Sequence, residues 1–200
     1  MSKISFTPAD TAILLVDHQP GVLAMIGSLP TPVVTNNAAT LARLGEQLQI
    51  PLVITTTRED VQFLGTTLKE IQSAAPKAFA RRIRRGGTLN AFKDAKLVSA
   101  VADTKRPNLV IAGILTDVCL SHSVISALSA GYNVQVVADA SGTTTALADT
   151  VTYNRLTSLG AVITTTYGIL FELYPDISTS DGQRAEAVAT ASIAPLSAAA

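Results

Sequence analysis

Short runs of apolar residues recur along the chain, and longer segments with helical spacing of their apolar positions separate them. The runs are apolar throughout instead of alternating with polar positions, which is typical of strands buried on both faces of a sheet. One of them, KAFAR, is weaker than the others. The predicted strands are residues 12–17, 51–56, 77–81, 108–113, 133–139 and 161–165.

The segments between these runs carry apolar residues three or four positions apart, which predicts helices. Thr35 or Asn36 is a suitable cap for the first, and Gly131 and Gly160 follow two others as stop signals. Alternating strands and helices favour an α/β fold with a parallel sheet covered on both faces. The predicted helices are residues 36–48, 93–103, 118–130 and 145–159.

The composition is that of one folded domain. The chain has 200 residues, of which 48% are hydrophobic and only 15% charged, too apolar for a disordered protein. We predict a single domain over residues 1–183. From about residue 184 the chain becomes rich in Ala and Ser, which predicts a short helix and a loose tail over residues 184–200.

The balance of charges argues against a nucleic acid or an anionic membrane as the binding partner. Lys plus Arg and Asp plus Glu number 15 each, so the basic excess that nucleic acids or anionic membranes normally require is absent. No apolar run approaches a membrane span or the core of a signal peptide. A single cysteine favours a reducing compartment, and we predict a cytoplasmic protein. The low charge also predicts apolar contacts between subunits.

Three reactive candidates fall beyond the carboxyl ends of predicted strands, where ligands bind in open α/β sheets. Asp17 ends the first strand, the arginine cluster 81–85 follows the third, and Cys119 lies six residues beyond Gly113. Each has a simpler interpretation. Asp17 can form a turn, the arginines can be a solvated patch, and Cys119 can be a small buried apolar residue.

Cys119 is the most specific of the three. It lies in the first turn of a predicted helix, where the helix dipole is expected to lower the pKa of the thiol and backbone N–H groups can hold an oxyanion. Asp17 would then be its general base. His122, three residues on, allows a Cys–His dyad or a surface or pocket position. His18 and His122 are the only histidines, so we predict no metal site.

Two motifs together resemble the isochorismatase-like cysteine hydrolases, most closely their YcaC-type subgroup. They are VDHQPG at 16–21 and GILTDVC at 113–119, and the similarity extends over residues 8–175. Further similar stretches are TTTRE at 55–59, RGGTLNAF at 85–92, ALSAGYNVQVVADASGT at 127–143, and Arg155.

The resemblance implies a three-layer αβα sandwich with a six-stranded parallel sheet, and a catalytic triad of Asp17, Arg85 and Cys119. It also implies a cis peptide bond between Ile114 and Leu115, with the N–H groups of Leu115 and Cys119 as an oxyanion hole. No cofactor is implied. The implied assembly is a homo-oligomer, ring-like, of four or eight subunits. The substrate-pocket candidates are Gln19, Glu59, Asn90, Phe92 and His122.

The activity implied is hydrolysis of a small amide-type C–N bond through a thioester on Cys119. Nicotinamidases have metal-binding histidines shortly after the second strand, but residues 57–65 contain none. The family's basic residue is usually Lys, whereas Arg85 stands here, as it tends to in the YcaC-type subgroup. Two alternatives remain open. One is vinyl-ether hydrolysis by Asp17 and Arg85 without Cys119, although true isochorismatases lack that cysteine; the other is a non-catalytic binding or scaffold protein.

Overall fold

A six-stranded, fully parallel sheet forms the middle layer of the computed structural model, which describes residues 5–197 and the side chains of residues 5–192. The strand order across the sheet is β3-β2-β1-β4-β5-β6, so the chain starts in the centre and builds one half after the other. The strands are β1 Thr11–Val16, β2 Leu52–Thr57, β3 Ile83–Arg85, β4 Asn108–Gly113, β5 Asn133–Val137 and β6 Val162–Thr164.

Helices cover both faces of this sheet, which confirms the predicted three-layer α/β fold. In β1 the side chains of Ile13 and Leu15 join the core on one face, and those of Leu14 and Val16 join the core on the other, because successive side chains of a strand point to opposite sides. The α-helices are α1 Pro20–Leu23, α2 Thr31–Gln47, α3 Lys69–Ala74, α4 Pro76–Ala80, α5 Ala95–Ala102, α6 Ser121–Ser129, α7 Ala146–Ser158, α8 Thr166–Leu173 and α9 Ser180–Ser197.

Helices α2, α3, α4, α8 and α9 pack on one face of the sheet, and α5, α6 and α7 pack on the other. Among the residues the structure describes, no helix is both long enough and apolar enough to cross a bilayer.

The third predicted strand was wrong. Residues 77–81 lie in and just after α4, and the edge strand is Ile83–Arg85. Pro76 at the start of α4 favours a helix, since the proline ring fixes φ near the helical value and a backbone N–H in the first turn would have no partner within the helix. A five-residue run is too short for its apolar pattern to distinguish a strand from a helical turn. The arginine cluster is therefore not beyond the third strand, because Arg84 and Arg85 belong to it.

The start of α2 and the end of the chain also differ from expectation. Helix α2 begins at Thr31, with a proline in its first turn, and not at the predicted cap. The predicted short helix near the end of the chain is the 18-residue helix α9, which begins at Ser180, runs through most of the predicted loose tail and packs on α2. Its buried Ala185, Val188 and Ala189 belong to the core of that face, while residues 198–200 lie outside the described part of the chain.

Gly113 ends β4 at a point where the backbones approach closely. A Cβ atom there would lie 2.9 Å from the Cβ of Val16 and 3.1 Å from its carbonyl oxygen. We expect Gly113→Ala to lower the free energy of unfolding by about 1–3 kcal/mol, because the packed neighbours have little room to yield. Urea denaturation measures this. Gly86→Ala is the matched control, since nothing lies within 4 Å of the added atom; equal losses in both variants would contradict the packing argument.

Candidate active site

The sheet register brings the predicted triad together at the C-terminal ends of the strands. Val16 pairs with Gly113 on one side and with Thr55 on the other, and Thr57 pairs with Arg85. All strands are parallel, so the residues that follow Val16 and Gly113 leave the sheet at its C-terminal end, where Arg85 also ends β3. Asp17, the segment that leads to Cys119, and Arg85 therefore converge, although Asp17 and Cys119 are 102 positions apart in sequence.

Asp17 and Arg85 form an ion pair with both side chains fully buried. One terminal guanidinium nitrogen of Arg85 donates to both carboxylate oxygens of Asp17, at 2.6 and 2.5 Å. Nε of Arg85 donates to Thr55 Oγ1 at 2.8 Å, and its other terminal nitrogen donates to the carbonyl of Thr88. The guanidinium is thus held on three sides. The adjacent Arg84 is exposed, because successive side chains of a strand point to opposite sides, and it takes no part in this cluster.

Thr55 is a positioning residue that the sequence analysis did not single out. Its hydroxyl accepts from Arg85 and donates to the carbonyl of Ile83 at 2.9 Å, which fixes the hydrogen to one side and leaves a lone pair for the guanidinium. A hydroxyl in the middle of a buried strand was the available signal, since Thr55 is buried and needs partners there.

The backbone of Asp17 has a positive φ of 59°, a region that only a few per cent of non-glycine residues occupy and that Asp tolerates better than most. Its N–H donates to the carbonyl of Thr55 at 3.0 Å, and its carbonyl accepts from the N–H of Gln19 at 2.8 Å. These bonds hold a sparsely populated conformation at the end of β1. Such conformations concentrate at functional sites, where the surroundings impose them.

Cys119 lies in a π-helical turn, Thr116–Leu120, that leads into α6. The thiol is buried and faces the Asp17 carboxyl group and the backbone of Leu115, both of which affect its pKa. The turn itself is tied down by bonds from the N–H groups of Val118 and Leu120 to the carbonyl of Leu115. The peptide bond between Ile114 and Leu115 is cis, as the resemblance implied.

The predicted lowering of the Cys119 pKa was wrong. Burial of the thiol raises its pKa most, the negative charge of Asp17 raises it further, and Arg85 and the Leu115 N–H only partly oppose them. The helix-dipole argument failed because it treated the thiol as exposed and without charged neighbours. Burial and the charge of Asp17 therefore both favour the neutral thiol over the thiolate.

Asp17 is suited to accept the thiol proton. Burial raises the pKa of its carboxyl above the ordinary value, and the charge and hydrogen bonds of Arg85, with the neighbouring Cys119 thiol, oppose this shift. A carboxylate with raised proton affinity is a stronger base than an exposed one. Arg85 cannot take part in proton transfer, because a guanidinium does not lose its proton in proteins.

Two of the five pocket candidates are engaged in structural networks. Gln19 is buried, and its amide accepts from the N–H of Thr57 and donates to the carbonyls of Thr57 and Gly65, at 2.6–2.9 Å. Glu59 binds Arg82 through two bonds of 2.7 and 2.8 Å, which together with threonine hydroxyls lowers its pKa to about 2 despite partial burial. Contact of either residue with substrate stays a prediction.

The other three candidates flank the Cys119 turn. The amide of Asn90 donates to Ser126 on α6 at 2.8 Å and accepts from the N–H of Phe92, whose ring packs edge-to-face on Tyr132. His122 is exposed on α6, whereas Cys119 is buried, so nothing in the geometry supports a Cys–His dyad. Their roles as pocket residues also stay predictions.

The other histidine, His18, is buried, whereas His122 is exposed. Nε2 of His18 bonds the carbonyl of Ala140 at 2.8 Å, and burial lowers the pKa of His18 to about 4, so it is neutral near pH 7. Within the described part of the chain, no three His, Cys, Asp or Glu side chains form a group suited to a metal ion.

A family model for the isochorismatase domain matches residues 11–167 of this chain. The chain belongs to the isochorismatase family. This confirms the resemblance drawn from the two motifs. The probable hydrolase YcaC of Escherichia coli is 34% identical over 84% of this chain and 79% of its own length. The chain is therefore an isochorismatase-family hydrolase.

Solved structures of YcaC proteins are similar in fold to this isochorismatase-family chain. The Escherichia coli YcaC gene product, an octameric hydrolase of unknown specificity, has a TM-score of 0.83 and 32% identity over 89% of this chain and 86% of its own. YcaC from Pseudomonas aeruginosa, solved with hexane-2,5-diol and covalent acrylamide, has a TM-score of 0.84 and 32% identity over 89% and 87%. A pyrazinamidase/nicotinamidase from Streptococcus mutans, 19% identical over 77% and 99% with a TM-score of 0.65, shares the fold alone.

Proposed function

We propose that this hydrolase cleaves a small amide-type C–N bond through a thioester intermediate on Cys119. The observation that carries the proposal is the buried group in which the Cys119 thiol faces Asp17 closely enough to affect its pKa, and Asp17 is held by Arg85. A nucleophile beside a base that a third group orients is the arrangement expected for covalent catalysis.

The reaction has two halves. Asp17 takes the thiol proton as the sulfur attacks the substrate carbonyl, and the N–H groups of Leu115 and Cys119 hold the resulting oxyanion. When the C–N bond breaks, protonated Asp17 gives its proton to the leaving nitrogen. Water then attacks the thioester, with Asp17 again as base, and releases the acid and the neutral thiol. The Leu115 backbone lies close enough to the sulfur to lower the thiol pKa, which supports its share in the oxyanion hole.

The covalent acrylamide in the Pseudomonas aeruginosa YcaC supports a reactive thiol in this chain too. Acrylamide is a small amide whose double bond is a soft electrophile, and soft electrophiles react preferentially with sulfur. We therefore propose that acrylamide adds to Cys119, its terminal carbon bonding to sulfur while the neighbouring carbon takes a proton.

A screen of small amides, ureas and carbamoyl compounds for ammonia release tests the proposal. We expect release with the wild-type chain and none with Cys119→Ala. Hydrolysis of a vinyl ether by Asp17 and Arg85 alone would instead survive that substitution. A chain that binds amides without releasing ammonia, and whose thiol does not react with acrylamide, would refute the thioester mechanism.

Metal removal is expected to leave the activity unchanged. The proposed steps use only side chains and backbone N–H groups, and within residues 5–192 no cluster of three or more metal-ligating side chains exists. Turnover with and without prior dialysis against EDTA measures this. Activity that EDTA removes and zinc or iron restores would show that a metal takes part.

We also propose that the chain is a homo-oligomer of four or eight subunits. The side chains of Leu147 and Val151, one turn apart on α7, are 73% and 59% exposed, and neighbouring exposed apolar side chains are suited to a contact between subunits. The related Escherichia coli protein is an octamer. We expect light scattering at micromolar concentration to give a multiple of the 20.8 kDa chain mass. A mass equal to one chain would exclude this assembly.

A further inference from the structure

A cavity of about 340 Å³ opens beyond the carboxyl ends of β5 and β6. The N-terminal part of α7 forms one wall, with Asp149 and Tyr153 four residues apart on the same helix face. Asp139, which follows β5, forms another wall, and Ser28 and Thr165 complete the polar lining. Asp17, Arg85 and Cys119 do not line this cavity, so it is separate from the proposed active site.

Asp149 has a free hydrogen-bond acceptor in this cavity. The residue is only 8% exposed, and among the residues the structure describes its Oδ1 has no hydrogen-bond partner. A buried polar atom without a partner is costly, since the group has lost its water without a replacement. A ligand that donates a hydrogen bond would satisfy it.

The cavity also concentrates negative charge. Oδ1 of Asp139 accepts two bonds of 2.8 Å from Thr166. Burial raises the pKa of the Tyr153 hydroxyl most, the side chain of Thr116 opposes this, and the charges of Asp149 and Asp139 raise it further. Tyr153 donates to the carbonyl of Ala138 at 3.2 Å. No Lys, Arg or His belongs to the lining that the structure describes. Two carboxyl groups without a nearby cation favour a positively charged occupant.

We propose that this cavity binds a small organic cation, with its ammonium group on Oδ1 of Asp149. The volume is about ten times the share of one water molecule, roughly 30 Å³, so a bare ion would leave most of it unfilled. Two carboxyl groups are also too few for a typical divalent-metal site. Ala146 and Leu29 supply an apolar wall for a short alkyl chain. The proposal does not depend on the proposed function.

Calorimetric titration of the whole chain tests the site, with butylammonium chloride as the probe. Butan-1-ol, which has the same shape without the charge, and sodium chloride at equal ionic strength are the two control ligands. We expect saturable binding of butylammonium at one site per chain, and no saturable binding of either control. Because the ammonium bonds a buried carboxylate, Asp149→Asn is expected to weaken binding about tenfold or more.

Asp103→Asn is the matched variant, since Asp103 is an exposed acidic residue at the end of α5 and outside the cavity. It should bind butylammonium as the wild type does. Thr150→Arg, at an exposed position of the lining, should block binding by placing a guanidinium beside Asp149. If Asp149→Asn does not fold, Thr150→Arg and the comparison of butylammonium with butan-1-ol decide the matter.

Three results would overturn the proposal. Equal binding of butan-1-ol would make the cavity a general apolar pocket. Equal binding of sodium would make it a site for simple ions. Unchanged butylammonium affinity in Asp149→Asn or Thr150→Arg would place the ligand elsewhere.

Discussion

Cys119→Ala is expected to reduce amide hydrolysis by a factor on the order of 10⁴ or more, as when a covalent nucleophile is removed from other triads. No other cysteine can replace it, since Cys119 is the only one in the chain. Ammonia release measures the loss. Thermal unfolding is the control, because Ala nearly fills the space of the buried thiol and should leave the midpoint close to that of the wild type. Substantial residual turnover would contradict the nucleophile assignment.

The role of Asp17 is separable from that of Cys119 by the rate of acrylamide labelling. The charge of Asp17 raises the thiol pKa, so Asp17→Asn should by itself make the thiolate more abundant. If Asp17 is the base, however, losing it should slow labelling, because the proton then has no acceptor. We expect slower labelling and slower turnover. Faster labelling would show that Asp17 only suppresses the thiolate and does not activate the sulfur.

Arg85→Ala is expected to lower the free energy of unfolding at pH 7 by about 3–5 kcal/mol, because it leaves Asp17 as a buried charge without its partner. Both side chains of this pair are fully buried, and the guanidinium also satisfies Thr55 and Thr88. Turnover should fall as well, since the carboxylate would lose its orientation. Urea denaturation and the ammonia assay measure the two effects.

The Arg85→Ala loss should depend on pH in a fixed direction. Burial already raises the folded-state pKa of Asp17 above its ordinary value of 3.8, and removing Arg85 takes away the main group that lowers it. A raised folded-state pKa contributes stability below the unfolded pKa and loses it as pH rises through the folded pKa. The variant should therefore approach wild-type stability near pH 4 and fall away above it. A pH-independent difference would contradict the charge argument.

Two further variants isolate what Arg85 provides. Arg84→Ala should change neither stability nor turnover appreciably, because Arg84 is the exposed neighbour on the same strand. Arg85→Lys should keep the charge but lose the fixed set of bonds to Asp17, Thr55 and Thr88. We therefore expect its rate of acrylamide labelling to be closer to the wild-type value than its rate of turnover. If Arg84→Ala is damaging and Arg85→Ala is not, the basic residue has been placed one position too late.

The sequence by itself determined the sheet and the two motifs at the C-terminal ends of its strands. Buried parallel strands are continuous apolar runs, so β1, β2, β4, β5 and β6 were found within two residues of their bounds. Asp17 and Cys119 follow two of these runs, and parallel strands present their carboxyl ends together, so their convergence followed from order and direction. The motifs around them sufficed for the family and for the expectation that Arg85 completes the group.

Only the tertiary structure decided properties that depend on what surrounds a group. Local pattern could not place β3, because Thr55 and Thr57 of β2 fix the register of its three residues. Nor could it show that α9 packs into the core. Helix position predicted a lowered Cys119 pKa, whereas burial and Asp17, distant in sequence, raise it. The same holds for the free carboxylate oxygen of Asp149. Desolvation and Coulomb interactions act through space, and their sign is set only when the chain has brought those groups together.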